Sequence, residues 1–359
     1  GLIAADVSNQ SITISSNLAS FVNEGVVRAE NNGTVNLDAN VQTSDLGMLI
    51  ADGGRVNLRG VVENAGSVLT LDGGTGSWFL DGGRINGGVL NLEKGATLRP
   101  TANGNNRLAG VLVNGDLVLD QNSAQLRFND GLTVNGRVIL SGSGASLTST
   151  SVDGQLESAE LVLSPGAVLF ASGGTTLTLG EGVVVRGGNA TIGRTGSGDA
   201  FLVNRGLIAA DVSNQSITIS SNLASFVNEG TVRAENGSTV SVQPASWSNS
   251  GILDIRGGGL LSASTLNQSS AGSVQVELAG TSPSQYGRLQ ISGAASLAGG
   301  FTATIADGFG PAVGNTFDPI TFGSRSGEFE SIILPDLKGA GLFDLLYQSD
   351  RVRLQVLAP

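Results

Sequence analysis

The stretch GLIAADVSNQSITISSNLASFVNEG fills residues 1–25 and returns, letter for letter, at residues 206–230. The match extends over residues 1–31 against 206–236, broken only where Val26 meets Thr231, so the chain carries an internal repeat with a period of 205 residues. A shorter repeat lies beneath it. FVNEGVVRAENNGTVNL begins at Phe21, FVNEGTVRAENGSTVSV at Phe226 and WSNSGILDIRGGGLLS at Trp247, with a looser relative, FLVNRGLIAADVSNQSITI, at Phe201. Each reads as an aromatic residue, Asn-x-Gly, an apolar alternation, a polar turn and a second alternation. Asn204, Asn228 and Asn249 recur at intervals of about 21–24 residues, within the length of one solenoid coil.

Within the repeat the local pattern is that of strands. Ser216-Ile217-Thr218-Ile219-Ser220 and Thr176-Leu177-Thr178-Leu179 alternate polar and apolar residues, the mark of a strand with one buried face. In the middle of the chain VNGDLVL from Val113, VNGRVIL from Val134 and VDGQLES from Val152 each set a turn before a short strand. Asn-Gly and Asp-Gly supply the positive φ that a tight bend requires. No segment keeps a helical period. Coils of this length are too short for the roughly 40-residue blade of a propeller, and only 4% of the residues are aromatic. The expected fold is therefore all-β, a β-solenoid with coils of about 21–24 residues.

The solenoid is expected over residues 1–280 and a C-terminal capping β region over 281–359. Phe301, Phe309, Phe317, Phe322, Phe329 and Phe343 are half of the 12 Phe, and both Tyr residues, Tyr286 and Tyr347, lie there too. A solenoid's last coil exposes unpaired backbone and apolar core, which a Phe-rich cap would cover. Arg351 to Val356 reads as its closing strand. The other end reads differently. Gly1 starts at the Gly of an Asn-x-Gly corner, without the preceding FLVNR, so an edge built to be stacked upon is expected there. Its occupant would be the end of a second subunit, making a filament, or an upstream tandem array.

LTVNGRVILSGSGASLTS from Leu132, GGTTLTLGEGVVVRGGNATIG from Gly173 and FVNEGTVRAENGSTVSV resemble the coils of large secreted bacterial β-helix proteins. These are of the filamentous-haemagglutinin and autotransporter-passenger kind. QYGRLQISGAASLAGGFTATIADGFGPAVGNTFDPITF from Gln285, followed by GEFESI, resembles the C-terminal capping region of such passengers. The resemblance implies a right-handed parallel β-helix that is exported to the bacterial cell surface or beyond it. It also implies an adhesin stalk or fibre subunit, whose partners are copies of itself or host and matrix glycans and proteins.

Composition narrows the chemistry. The chain has no Cys and no His, which removes thiolate and imidazole metal ligands, cysteine nucleophiles and the commonest general base. Lys occurs only at Lys94 and Lys338 and the formal charge is −11, a poor basis for sequence-independent binding to nucleic acid. No apolar run is long enough to span a membrane.

Right-handed β-helices also host glycan-cleaving enzymes, which use paired carboxylates. The nearest candidates are Asp116 with Asp120, Asp72 with Asp81, and Glu157 with Glu160. Asp52, Asp72 and Asp81 each precede Gly-Gly, where Asp serves a turn. GGTGSWFLD from Gly73 begins like a calcium-binding nonapeptide, but Trp78 stands where the Asp ligand belongs. No catalytic residue, cofactor or metal site is assigned. The carbohydrate-binding or carbohydrate-cleaving alternative rests on Trp78 and Phe79 as a surface contact. The structural residues expected are Asn23, Asn204, Asn228 and Asn249, stacking as an internal amide ladder, with Gly25, Gly206, Gly230 and Gly251 at the corners.

Overall fold

The computed structural model describes residues 1–18 and 20–359, which form two compact units, Gly1–Leu177 and Thr178–Pro359. Both are built from short strands, and among the described residues the only helical turns are two single 3-10 turns, Thr43–Asp45 and Pro283–Gln285.

In the first unit, strand Ser11–Ile14 lies parallel to Thr34–Leu37, which lies parallel to Arg55–Leu58, then Trp78–Leu80, then Leu98–Pro100. Equivalent residues stack in register. Val35, Val56, Trp78 and Leu98 form one inward row, and Leu37, Leu58, Leu80 and Pro100 the next. The pairings of Thr34 with Arg55 and of Leu2 with Val26 each advance the chain by one coil, as the repeat length predicts. The fold is a parallel β-solenoid: strands in successive coils pair, and the alternating residues they turn inward make the core.

The second unit repeats the plan. Ile217, Val240, Leu261, Leu289 and Ile320 stack in one inward row. Ile208, Val232, Leu253, Val274 and Phe301 stack in another. Each such side chain, removed from water between two like neighbours, contributes about 1.5–3 kcal/mol. Towards the C-terminus the coils lengthen. Leu260 pairs with Arg288, and Leu289 with Ile320, because loops such as 280–286 and 307–315 are inserted between strands whose pairing is unchanged.

The parallel order ends in a hairpin. Arg351–Leu357 runs antiparallel to both Leu342–Tyr347 and Thr316–Gly327. An aromatic cluster sits beside it. Phe317 contacts Tyr286, Phe309 and Phe343 with ring centroids 5.5, 6.2 and 6.2 Å away. Phe329 lies 5.4 Å from Phe301 and 6.4 Å from Tyr347. The Tyr347 hydroxyl accepts a hydrogen bond from the Phe329 N–H at 2.9 Å, and Arg325 lies over the Tyr347 ring.

The duplicated passage is a built-in control on how much neighbours matter. Both copies make strands at equivalent positions, Leu2–Ala5 with Leu207–Ala210 and Ser11–Ile14 with Ser216–Ile219. Ser225–Asn228 is a strand in the second copy, whereas the same letters at 20–23 are not. The difference is pairing: Ser225–Asn228 lies between Phe201–Asn204 and Ser246–Asn249. Burial follows. Ile208 and Leu223 are 0% and 3% exposed, but Ile3 and Leu18 are 40% and 50% exposed.

Candidate functional site: the buried amide ladder and its surroundings

The Asn-x-Gly corners of the second unit converge on one line. Asn204 Nδ2 donates to Asn228 Oδ1 at 2.8 Å, Asn228 Nδ2 to Asn249 Oδ1 at 2.7 Å, and Asn249 Nδ2 to Gln268 Oε1 at 3.2 Å. Gln268 Nε2 ends the line on the Ala298 carbonyl at 2.7 Å. All four side chains are buried. A buried amide is costly unless each polar atom finds a partner, and one amide per coil passes that requirement to the next. Each Asn also donates back to its own corner, at 3.2 Å to the carbonyls of Gly206, Gly230 and Gly251.

The glycines are needed there for room, not for positive φ. A Cβ on Gly230 would sit 2.2 Å from the Gly206 carbonyl oxygen, and one on Gly251 2.0 Å from that of Gly230. A Cβ on Gly206 would meet the Val183 oxygen at 2.2 Å. Positive φ occurs instead at turns such as Asn236-Gly237 and at Gly115.

The first unit uses the same device less regularly. Asn23 is half-buried and donates to the Leu46 and Met48 carbonyls at 2.8 and 3.3 Å, while its Oδ1 accepts from Gly25 N–H at 3.0 Å. Gly25 backs onto Gly1, whose oxygen a Cβ would approach to 2.1 Å. Asn64 is fully buried, donates to the Gly87 and Val89 carbonyls and accepts from the Thr43 hydroxyl at 2.7 Å. Asn64 is not among the expected ladder residues, although Asn64-Ala65-Gly66 repeats the Asn-x-Gly signature. Outward-facing amides pair too, Asn114 with Asn91 at 2.9 Å and Asn135 with Asn114 at 3.0 Å.

Trp78 and Phe79 part company. Trp78 is 2% exposed and packs in the row of Val56 and Leu98, so it presents no ring to solvent. Phe79, next along the strand, faces out, and the guanidinium of Arg55 covers its ring at 3.6 Å. Burial of Arg55 lowers its pKa from the ordinary arginine value. Its Nε donates to Asn57 Oδ1 at 2.6 Å. The Trp78–Phe79 pair is therefore not an open stacking platform: one ring is core and the other carries an arginine.

The aspartates considered for catalysis are engaged. Asp116 accepts from Arg137 Nη2 at 2.6 Å, Asp120 pairs with Arg99, and Asp81 accepts from Arg59 Nε at 3.0 Å and the Thr101 hydroxyl at 3.0 Å. Asp72 Oδ1 accepts from the Gly74 and Thr75 N–H groups at 2.8 and 3.1 Å, a turn. Those backbone donors hold its pKa below the usual carboxylate value, and the Arg137 hydrogen bond does the same for Asp116. A general acid for glycoside cleavage needs the opposite shift. Glu157 is exposed, and Glu160 lies opposite Arg137 in the ladder. Among the described residues no three His, Cys, Asp or Glu side chains cluster closely enough to hold a metal ion, and no helix is long and apolar enough to cross a membrane.

No protein-family model and no curated protein matches the chain. Among solved structures, the crystal structure of a TibC-catalysed, hyper-glycosylated TibA fragment (residues 55–350) is similar to it. The identity is 16%, 93% of this chain and 95% of that one are covered, and the TM-score is 0.24. At that score the fold rests on the strand register described above.

Proposed function

We propose that this protein is a non-catalytic structural β-solenoid, exported from a bacterium to serve as an adhesin stalk or a fibre subunit. The observation that carries this reading is where the polar groups go. Buried amides are spent on holding coil to coil, Asp81, Asp116 and Asp120 pair with arginines one coil away, and Asp72 closes its own turn. Residues 281–359 serve as the cap, with the aromatic cluster and antiparallel hairpin covering the last coils.

The proposed occupant of the edge formed by Leu2–Ala5 is another coil of the same kind, from a second copy of the chain or from a tandem array. Support comes from the internal twin of that edge, where Leu207–Ala210 accepts residues 184–187 as a parallel neighbour. The test is sedimentation velocity over a wide concentration range, with electron microscopy of the same samples. Association that Ile3→Lys abolishes is expected; isolated particles at high concentration would remove the fibre reading.

A further inference from the structure

Three arginines stand in one column on the outer face of the first unit. Arg84 pairs in register with Arg107, and Arg107 with Arg127. Their neighbours Ile85, Leu108 and Phe128 point into the core, so the three guanidinium groups leave the same face on successive coils. Parallel strands repeat at about 4.8 Å, which brings three positive charges close together. Several other arginines on this solenoid meet a carboxylate across the coil step, as Arg59 meets Asp81 and Arg137 meets Asp116. Among the described residues, none of these three has a carboxylate within ion-pair distance. The flanking acids are otherwise engaged: Glu63 accepts from Asn86, and Asp130 from Asn129.

The column carries a cost. Burial lowers the pKa of Arg107, and Arg84 and Arg127 lower it further, with only Asp130 opposing them. Three polar atoms on the same face, Arg84 Nε, Asn86 Oδ1 and Asn129 Oδ1, are buried without a hydrogen-bond partner. Asn86 and Asn129 share the adjacent row, with only the Ala109 methyl between them. Unsatisfied groups and unpaired like charges collected in one place call for a ligand.

We propose that Arg84, Arg107 and Arg127 form a binding site for a linear acidic polysaccharide carrying a carboxylate on each sugar, laid along the column. A guanidinium fork matches a carboxylate in two hydrogen bonds. One charge per coil suits a polymer with one charge per sugar unit, and the neighbouring amides of Asn86, Asn129 and Gln125 suit sugar hydroxyls. Single-stranded nucleic acid is the less suitable polyanion, because its binding sites place stacking rings beside the basic groove. Here the side chains flanking the column are amides, Asn86, Asn129 and Gln125. The site goes beyond the structural role and is independent of self-association.

The experiment is calorimetric titration of the full chain with oligogalacturonate, neutral maltooligosaccharide and an oligo-dT strand at several salt concentrations. Oligogalacturonate alone binds, and salt weakens it. Arg107→Gln binds at least about tenfold more weakly and lowers the slope of log K against log salt by about 1. Its melting temperature does not fall, because a repulsion has been removed, whereas a merely structural arginine would cost stability. Arg205→Gln, which removes an arginine paired with Glu229, leaves binding unchanged. No binding of oligogalacturonate at low salt overturns the proposal. So does equal affinity of Arg107→Gln and the parent, or oligo-dT binding as tightly as the glycan.

Discussion

Replacing Asn228 by Ala tests whether the amide ladder stabilises the coils by satisfying buried groups or merely fills space. Asn228 receives one hydrogen bond from Asn204 and gives one to Asn249. Asn204 Oδ1 is already buried and unpartnered at the start of the line. Asn228→Ala therefore leaves two orphaned acceptors where there was one, because Asn249 Oδ1 loses its donor. An orphaned buried group costs about 1–3 kcal/mol, and the lost hydrogen bonds add about 1 kcal/mol, so a loss of about 3 kcal/mol is expected.

Asn204→Ala is the matched control. It deletes the existing orphan and creates one at Asn228 Oδ1, leaving the number unchanged, so only about 1 kcal/mol is at stake. The assay is urea unfolding followed by fluorescence of Trp247, whose ring lies 6.2 Å from that of Phe226, in a Trp78→Phe background. The comparison holds provided the denaturant slopes agree between variants. Equal midpoint shifts for the two substitutions would refute the reasoning, since they would show that the count of unsatisfied amides does not set the cost.

Two further outcomes follow from the same geometry. Gly230→Ala pushes a methyl to 2.2 Å from the Gly206 oxygen and is expected to cost about 3 kcal/mol or more. Gly237→Ala meets open space and only a left-handed backbone, φ +71°, and is expected to cost about 1–2 kcal/mol; the two unfolding midpoints check the order. Acid will weaken the second unit through Asp318. Its hydrogen bonds to Arg353 and Arg351 hold its pKa below the ordinary 3.8. A depressed folded pKa gives stability that is present above the unfolded value and lost as pH falls through the folded one. Thermal melting across that range is expected to show a drop that Asp318→Asn makes shallower, with the variant already less stable at neutral pH.

Much of this was legible because one coil is close to one sequence period. The aligned Asn204, Asn228 and Asn249 disclose both coil length and ladder, since residues a period apart become neighbours in space. Strand character at Ser216–Ile219 follows from its alternation alone. What failed to show had specific causes. Asn64 carries the same Asn-x-Gly signature but lacks the aromatic residue ahead of it. Period-two alternation does assign Trp78 to the side of Leu80, yet a Trp beside a Phe draws attention to its ring chemistry instead. Arg84, Arg107 and Arg127 follow one another at unequal spacings, each near the coil length. Recognising the column needs the register, and register shifts by a residue or more wherever a loop is lengthened. The lengthened coils after Leu260 hide the repeat for the same reason, though their strands still stack.

The doubled passage sets strands at the same phase of the coil in both places. Leu2–Ala5, Ser11–Ile14 and Thr34–Leu37 correspond to Leu207–Ala210, Ser216–Ile219 and Thr239–Val242, each one long repeat further on. Unequal exchange between two gene copies at this stretch would insert or delete one whole long repeat, and the joint would fall inside a coil whose inward and outward faces already agree. Most insertions of that size in a packed domain would break a core. Here the material would be gained or lost in whole turns, so this lineage can change the number of its coils without redesigning any of them.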